Sequence, residues 1–575
     1  GSPFVVHPDP SAAEIRLNEA LQPARDVWGE ALIAQGGATY ENIVDALPPM
    51  FYSTGYTNET HGAHHVLYAE TGGLPPRIVA VADGSRITSD VYQSGNDLAF
   101  YVDAEGEEAY GATLERLSEP YLEDAYYPIL RTSYTSASGA RYEQASFASW
   151  VEGVDHLVAF VRLAAPPAPG ARPCMRVRPG DGGPDALRFS GDATWADGAL
   201  AIRLEQPAYL AWSPEGPLPE GFRVDASTYD MAKRRWREYW DQALARAAQF
   251  DVPEARVMDC QRNLLIQNLM LRWRYSLGSV VYHDAFYQPE GNDAMTTLAY
   301  YGYQDEARDG LSRLIGMTKG AGSYTNWEFG EKLSHAAEYY FLTRDAAFIE
   351  VHTPEYAHIC AALKQQTETD PNGLLEKQRH CGDIRDVAYC TFHQTVCWRG
   401  VRDMAQVWKL MGREDLAVEY GSFAESFRAA LQQAVTASSR TLPDGTHFVP
   451  SVLLEPQEPF VPITDTRIGS YWNLCMPYAF ASGFWPYDGA EMRGILDFLH
   501  QHGATFPGLL RFNYSPTPIG AYHPAGLPGY WSTGFDNVYL PSYQRVLAQC
   551  DEAERLVLSF YGKLAHGQTR DTFVS

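Results

Sequence analysis

Four segments of the sequence combine carboxylates, aromatic side chains and glycine, residue types well suited to binding and transforming a polar ligand. They cover residues 282–293, 323–329, 376–386 and 529–537. Aromatic rings stack on the C–H faces of sugars, and carboxylates accept hydrogen bonds from vicinal hydroxyl groups. The segments therefore predict a carbohydrate pocket. Chemistry there requires two carboxyl groups, one protonated to donate to the leaving oxygen and one ionised to activate water.

The residues that stand out in these segments are carboxylates, aromatic rings and one arginine. They are Asp293, Glu328, Asp383, Asp536, Tyr287, Trp327, Trp531 and Arg385. Each type also has a structural interpretation, because aspartates before helices are common N-caps, glutamates favour the positive helix end, and Asp383 could pair with Arg385. However, each segment precedes a predicted helix, so all four would emerge on one face of a helical ring. This convergence favours a site.

The elements that must position these segments change character near residue 226. Before it, alternating runs such as residues 97–102 and 157–161 are separated by Gly, Pro and Asp, which predicts an antiparallel β-sandwich over residues 1–225. After it, apolar residues recur with a period of 3.6, which predicts a linker helix in residues 226–252 and further helices beyond.

The predicted helices of residues 253–575 come mostly in pairs, joined by short turns and separated by long aromatic loops. Two of them, at residues 292–316 and 533–549, follow the first and fourth segments. This alternation predicts a multidomain chain whose second domain is a toroid of six helical hairpins, an (α/α)6 barrel. An open solenoid is also built from helix pairs, but the sequence has no fixed repeat period, which disfavours it.

Two stretches resemble the six-hairpin glycosidases, in particular prokaryotic glucoamylases. Residues 288–295 and 298–308 are similar to the second-helix region of those enzymes, where an Asp opens a helix ending in a Gly-Tyr-x-x-Glu-Ala turn. Residues 382–385 and 393–405 look like their Trp-Glu-x-Arg … Trp-x-x-x-Asp-x-Ala stretch, with Gly-Asp in place of Trp-Glu. The resemblance extends over roughly residues 230–570, and a sandwich followed by a barrel is also similar to α-L-rhamnosidases.

This resemblance implies roles for single residues. It implies that Asp383 occupies the position of the general acid. It also implies that Asp293 occupies the position of the Asp that binds hydroxyl groups of the non-reducing sugar. Rhamnosidase-like relatives take their acid from the loop before the second helix, where this sequence has Asp284 and Glu290. The candidate acids are therefore Asp383 and, as alternatives, these two.

The general base of such families usually lies near the end of the barrel, where this sequence offers no clear glutamate. We expect the base at Glu328, at Asp536 or in chain beyond residue 575. Acid and base on opposite sides of a ring leave room for a water between carboxyl groups about 6.5–9.5 Å apart, as inversion requires. The leading hypothesis is accordingly an exo-acting, inverting glycoside hydrolase that needs no cofactor and no metal.

Two other classes remain open at this point. A polysaccharide lyase on a similar toroid would use Tyr324 or Tyr530 as base, with a uronate neutralised by His335, His283 or Arg511. Such a groove needs converging Arg and Lys, whereas these segments carry mostly carboxylates. A non-catalytic carbohydrate-binding protein is favoured if only one carboxylate faces the pocket. The sequence does not indicate the sugar, the linkage, the anomer or the oligomeric state.

Composition limits the partners and the compartment. The 575 residues include 71 acidic and 45 basic ones, and the net charge of −26 would repel nucleic acid and anionic membranes. No apolar window is long enough to span a bilayer, so we expect a soluble chain, cytoplasmic or exported after loss of a signal preceding Gly1. The eight cysteines are scattered and match neither a disulfide framework nor a zinc site.

Overall fold

The computed structural model describes most of the chain. It leaves out residues 1–19, 21–22, 45–64, 74–76, 90–95, 104–107, 114–115, 168–172, 181–182, 275–285, 461, 513–533, 537–538, 567, 570–571 and 574–575. The chain divides into two compact units. The first comprises residues 1–5, 51–285 and 568–574, and the second comprises residues 6–50, 286–567 and 575.

The first unit contains two antiparallel sheets. Their strands are β1 His65–Tyr68, β2 Ile78–Val81, β3 Arg86–Thr88, β4 Asp97–Val102, β5 Glu108–Ala109, β6 Leu117–Leu122, β7 Leu130–Thr135, β8 Arg141–Trp150, β9 Leu157–Ala164, β10 Cys174–Pro179, β11 Leu187–Ser190, β12 Asp192–Ala196, β13 Ala199–Arg203 and β14 Ala208–Trp212. One sheet has the order β1-β2-β3-β4-β10-β13-β12 with β5 on β4, and the other has the order β11-β14-β9-β8-β7-β6. The Tyr68 hydroxyl donates to the Ser146 carbonyl at 2.9 Å and so links the two sheets. The predicted antiparallel sheets are confirmed.

The helices lie at both ends of the described chain and dominate it after β14. Their bounds are α1 Val27–Ala34, α2 Tyr40–Val44, α3 Ala226–Leu244, α4 Ala255–Leu271, α5 Gln288–Tyr300, α6 Gln304–Ile315, α7 Thr325–Thr343, α8 Ala346–Thr369, α9 Thr391–Leu410, α10 Glu414–Ser438, α11 Arg467–Phe480, α12 Ala490–Gln501, α13 Leu540–Gln549 and α14 Ala553–His566. Short strands occur between them, among them Val387–Cys390, Leu510–Phe512 and Gly534–Asp536. The prediction that the chain is mainly helical after residue 225 is confirmed, with short strands between the helices.

Helices α3 and α4 belong to the unit that holds the sheets. Helix α3 begins after Asp225, whose carboxylate accepts a hydrogen bond from the backbone N–H of Thr228 at 2.8 Å as an N-cap. The buried side chains of Trp236 and Trp240 lie four residues apart on one face of this helix, which packs on β8 and β9.

In the second unit, alternate helices pack side by side in chain order. Helix α5 contacts α7, α7 contacts α9, α9 contacts α11 and α11 contacts α13, and we call these five the inner helices. Glycines allow the closest of these contacts. A Cβ on Gly330 would lie 2.7 Å from the backbone nitrogen of Cys397, and one on Gly400 would lie 2.8 Å from the Gly330 carbonyl oxygen.

Three helix boundaries differ from the predictions. The helix predicted at residues 292–316 is two helices, because Gly302 adopts a φ of 91° and turns the chain. It also begins earlier, with Pro289 in its first turn, so Asp293 lies inside the helix and is not an N-cap. The helix predicted at residues 533–549 begins only at Leu540, and Asp536 ends a strand.

Part of the region predicted as β is helical. Asp26 caps α1 by accepting from the backbone N–H of Gly29 at 2.8 Å, and it also accepts from that of Gly508 at 2.7 Å. Ile43 of α2 packs against Leu558 of α14. These contacts tie α1 and α2 to the helical unit and explain why they are not strands.

The buried Asp83 should make the stability of the fold depend on pH, and this dependence can be measured. Its side chain lies in the turn after β2, is 1% exposed, and accepts a hydrogen bond from the backbone N–H of Ser85 at 2.7 Å. Burial raises the pKa of Asp83 to about 7. From about pH 4 to pH 7 the folded chain therefore holds a proton that the unfolded chain has lost, and stability falls as pH rises through this range, by on the order of 4 kcal/mol.

Asp83→Asn is expected to remove this loss and to raise the urea midpoint at pH 8 much more than at pH 4. Asp197→Asn, at an exposed turn position, is the matched control and should leave the pH dependence unchanged. Equal shifts of the Asp83→Asn midpoint at both pH values would contradict the assignment.

Candidate active site

One face of α7 carries four ionisable side chains at helical spacing. Glu328, Glu331, His335 and Glu338 are three, four and three residues apart, which places them on one side of the helix. Glu328 and Glu331 are each 2% exposed and His335 is 3% exposed. Buried charges need partners, and here the partners come from the preceding loop, from the same helix and from other helices.

Glu328 lies in the first turn of α7 and is held by the backbone. Its Oε1 accepts hydrogen bonds from the N–H groups of Lys319 and Gly320 at 2.9 and 3.0 Å. Its Oε2 is buried and has no hydrogen-bond partner among the residues that the structure describes. An oriented carboxylate with one buried, unpartnered oxygen is suited to accept a proton from a bound water.

Carboxyl groups from three segments converge near Lys319 and Tyr324. Burial lowers the pKa of Lys319, while the charges of Glu290, Glu328 and Asp383 act to raise it. Burial, together with the same three carboxyl groups, raises the pKa of Tyr324 to about 12. We call these five residues the upper cluster. The three carboxyl groups thus lie within electrostatic range of the same two side chains.

Tyrosines orient two members of the upper cluster. The Tyr539 hydroxyl donates to Oε1 of Glu290 at 2.7 Å, and the Tyr471 hydroxyl donates to Oδ2 of Asp383 at 2.6 Å. Glu290 is half-buried, whereas Asp383 is exposed. The prediction that Asp383 is the acid relies on burial to hold its proton, and the structure does not provide that burial.

A second group of side chains forms the lower cluster, which consists of Asp293, Trp327, Glu331, His335 and Tyr478. The Trp327 indole N–H donates to Oε1 of Glu331 at 3.1 Å. His335 Nε2 lies 2.9 Å from Oε2 of Glu331 and 3.5 Å from Oδ1 of Asp293. The Tyr478 hydroxyl donates to Oδ2 of Asp293 at 3.2 Å, and the Tyr478 and Trp327 rings meet edge to face.

The Asp293 carboxyl group of the lower cluster has a raised pKa. Burial raises its pKa to about 6, and the charges of Glu331 and Glu338 add to this effect, while those of His335 and Arg545 oppose it. Its side chain nevertheless keeps 28% of its surface accessible. Asp293 therefore lies among the inner helices but can still be reached by a small ligand.

A charged group further along α7, which we call the floor cluster, joins four inner helices. Glu338 accepts hydrogen bonds from Tyr300 of α5 at 2.7 Å, from Arg399 of α9 at 2.9 Å and from Arg545 of α13 at 2.9 Å. Burial opposes ionisation of Glu338, but the two guanidinium groups outweigh it and lower its pKa to about 2. The last inner helix is thus linked to the first through one carboxylate.

The floor cluster leads to a stability prediction. Because the folded pKa of Glu338 is lower than the unfolded value, its contribution is present above about pH 4.5 and is lost as pH falls toward 2. Glu338→Gln is expected to destabilise the helical unit by roughly 3 kcal/mol at pH 7, with a smaller loss near pH 3, as followed by urea unfolding. Glu350→Gln, at an exposed pair with Arg413, is the control and should cost less than about 1 kcal/mol. Equal losses for the two variants would contradict this role.

The structure brings several of the predicted residues together. Glu290 and Asp383 meet in the upper cluster with Glu328, and Asp293 and Trp327 meet in the lower cluster. Tyr287 lies beside the upper cluster, because the Lys319 amine is 3.1 Å from the centre of its ring.

For the other predicted site residues, the structure gives exposure or backbone position, or does not describe them. Arg385 is exposed, and Tyr471 rather than Arg385 contacts the Asp383 carboxylate in the described part of the chain. Trp531, like Asp284, lies outside the described residues, and for Asp536 only the backbone strand is described.

Several site residues were not predicted from the sequence as part of a hydrolase site. They are Lys319, Glu331, Tyr471, Tyr478 and Tyr539. Glu331 could have been found from its helical spacing to Glu328 and His335. The tyrosines follow no local pattern, since each contacts a residue from a distant segment.

Comparisons with known proteins give only remote likenesses. The sequence matches no protein-family model and no curated protein. The structure is similar to a bacterial glucoamylase complexed with acarbose, with a TM-score of 0.49, 9% identity, and coverage of 75% of this chain and 77% of that one. It is also similar to a rhamnosidase from Klebsiella oxytoca with rhamnose bound, with a TM-score of 0.35, 9% identity and 85% coverage of both chains.

A third likeness is to a GH92 inverting mannosidase from Bacteroides thetaiotaomicron, with a TM-score of 0.34, 10% identity, and coverage of 73% of this chain and 67% of that one. All three TM-scores are below 0.5. Likenesses at this level establish neither a family nor an activity, so the function must be argued from the side chains. Among the described residues, no helix is both long and apolar enough to cross a membrane.

Proposed function

We propose that the chain is an exo-acting, inverting glycoside hydrolase. The observation that carries this proposal is the convergence of Glu290, Glu328 and Asp383 on Lys319 and Tyr324, close to aromatic rings and the accessible Asp293. Carboxyl groups in such a setting supply the acid and the base of glycoside hydrolysis, and the rings and Asp293 supply sugar contacts.

The upper and lower clusters lie at successive levels along the same helices. This arrangement supports separate roles for them, with bond cleavage at the upper cluster and sugar binding at the lower cluster. Glu290 precedes Asp293 by three residues on α5, and Glu328 precedes Glu331 by three residues on α7. Three residues of helix correspond to about 4.5 Å of rise. A terminal sugar gripped by Asp293 would therefore have its glycosidic bond at the level of the upper cluster.

The floor cluster supports exo action. Glu338 lies seven residues beyond Glu331 on α7 and is tied to helices α5, α9 and α13. We propose that the inner helices close into a ring and that these ion pairs block its axis beneath the lower cluster. A pocket that is blocked below accepts a chain end and not the middle of a chain.

The chemical roles follow from the partners of each carboxyl group. Glu328 would act as the base, with Oε2 accepting a proton from the water that attacks the anomeric carbon. Glu290 would act as the acid, because it is half-buried and lies one helical turn above Asp293. Asp383, exposed and bonded by Tyr471, is the competing assignment for the acid. We further propose that Tyr287, Trp327, Arg385, Trp531 and Asp536 contact the sugar or its leaving group.

The lyase hypothesis fits the charges less well. A uronate must find converging cations, but Lys319 faces three carboxyl groups in the upper cluster. Tyr324, the candidate lyase base, has its pKa raised to about 12 and so resists losing its proton. The charge of the upper cluster favours neutral or cationic sugars over anionic ones.

A substrate panel tests the proposal. Natural oligosaccharides and aryl glycosides, both neutral and uronate-terminated, would be incubated with the enzyme and the products separated by chromatography. We expect release of single neutral sugars from chain ends. Unsaturated uronate products would support the lyase, and binding of glycans without any product would support a non-catalytic protein.

A further inference from the structure

His335 connects the two helices that carry the lower cluster. Its Nδ1 lies 2.7 Å from the Thr296 hydroxyl of α5, and its Nε2 lies 2.9 Å from Glu331 of its own helix and 3.5 Å from Asp293 of α5. Thr296 and Asp293 are three residues apart, so the imidazole contacts two successive positions on one face of α5. Both ring nitrogens are thus engaged.

The charges around His335 determine which ring nitrogen carries a hydrogen and how readily the ring is protonated. Nε2 faces two carboxylates, so it carries the hydrogen and donates it to Glu331. Burial opposes a positive charge on the ring, but the hydrogen bond that His335 donates to Glu331 and the charge of Asp293 outweigh it and raise the pKa of His335. The other charged or titratable groups facing this pair are Glu338, Tyr478 and Arg545.

We propose that His335 is a positioning residue that holds the Asp293 carboxylate toward the terminal sugar. The inference rests on the proposed function, in which Asp293 grips that sugar. Glu331 fixes the imidazole, and the same Glu331 accepts from the Trp327 indole at 3.1 Å. One chain of contacts therefore orients both a sugar-binding carboxylate and an aromatic wall.

His335→Gln is expected to weaken substrate use mainly through KM. Without the imidazole, Asp293 keeps the hydrogen bond from Tyr478 at Oδ2 but loses the charged contact at Oδ1. We therefore expect KM to rise roughly 10- to 100-fold with kcat reduced much less. In the wild type, KM should also rise with pH as His335 loses its proton, and this dependence should disappear in the variant. His500→Gln removes another buried histidine, which is hydrogen-bonded to Tyr543 and belongs to neither cluster, and serves as the control.

A second measurement does not depend on activity. The imidazole of His335 would be titrated by nitrogen-15 NMR in the wild type and in Asp293→Asn. We expect its pKa to fall by about one unit in the variant, because an opposite charge within a few ångströms is lost. An unchanged pKa would overturn the proposal even if His335→Gln fails to fold. If the pKa falls but no glycoside is hydrolysed, the proposed function fails while the coupling of His335 to Asp293 stands.

Discussion

Replacing Glu328 with glutamine is expected to lower kcat by roughly 10²- to 10⁴-fold, the usual scale for loss of a general base. Glutamine can keep the hydrogen bonds from Lys319 and Gly320 through its carbonyl oxygen, so the fold of the loop should survive. It cannot accept a proton at the position of Oε2. The measurement is steady-state kinetics on a natural oligosaccharide, with KM expected to change only a few-fold.

Glu376→Gln is the matched control for this variant. Glu376 is exposed and lies in the third of the four sequence segments, so its replacement should leave kcat within about twofold. Full activity of Glu328→Gln would remove Glu328 from the reaction. A large rise in KM with unchanged kcat would instead assign it to substrate binding.

Replacing Glu290 with glutamine is the second variant with a large expected effect. Loss of the proton donor should lower kcat on a natural glycoside by roughly 10²- to 10⁴-fold. The loss should shrink for a glycosyl fluoride or an activated aryl glycoside, because those leaving groups need no protonation. The hydrogen bond from Tyr539 can still be accepted by the amide oxygen.

Asp383→Asn decides between the two candidate acids. If Glu290 is the acid, Asp383→Asn should lower kcat by less than about tenfold. The size of this decrease should be the same for every leaving group. The reverse pattern, with the leaving-group effect in Asp383→Asn and not in Glu290→Gln, would move the role to Asp383. The exposure of Asp383 is the reason that we expect the first pattern.

Much of the architecture could be predicted because it depends on local periodicity. The alternating runs after residue 65 form antiparallel strands, and the periodic segments after residue 225 form helices. Boundaries were less predictable where a single residue decides them. Gly302 turns the chain after one helix. That helix has Pro289 in its first turn and begins at Gln288, four residues earlier than the pattern indicates, which moves Asp293 from a cap position to the second helical turn.

The candidate site was predictable only in part, for a physical reason. Residues on one helix, such as Glu328 and His335, are placed relative to one another by the helical repeat. Contacts such as Tyr539 with Glu290, or Arg545 with Glu338, join residues more than 200 positions apart. No spacing in one sequence encodes such pairs. The surroundings of Asp383 likewise depend on a distant residue, Tyr471, which is 88 positions away.

The configuration of the first-formed sugar tests the central claim most directly. Proton NMR of a hydrolysis reaction, recorded before mutarotation, shows which anomer is released. Base catalysis by Glu328 on an attacking water predicts a single sugar, released from the chain end, with the anomeric configuration opposite to that of the substrate. Release of the retained anomer, or of internal fragments, would contradict the account.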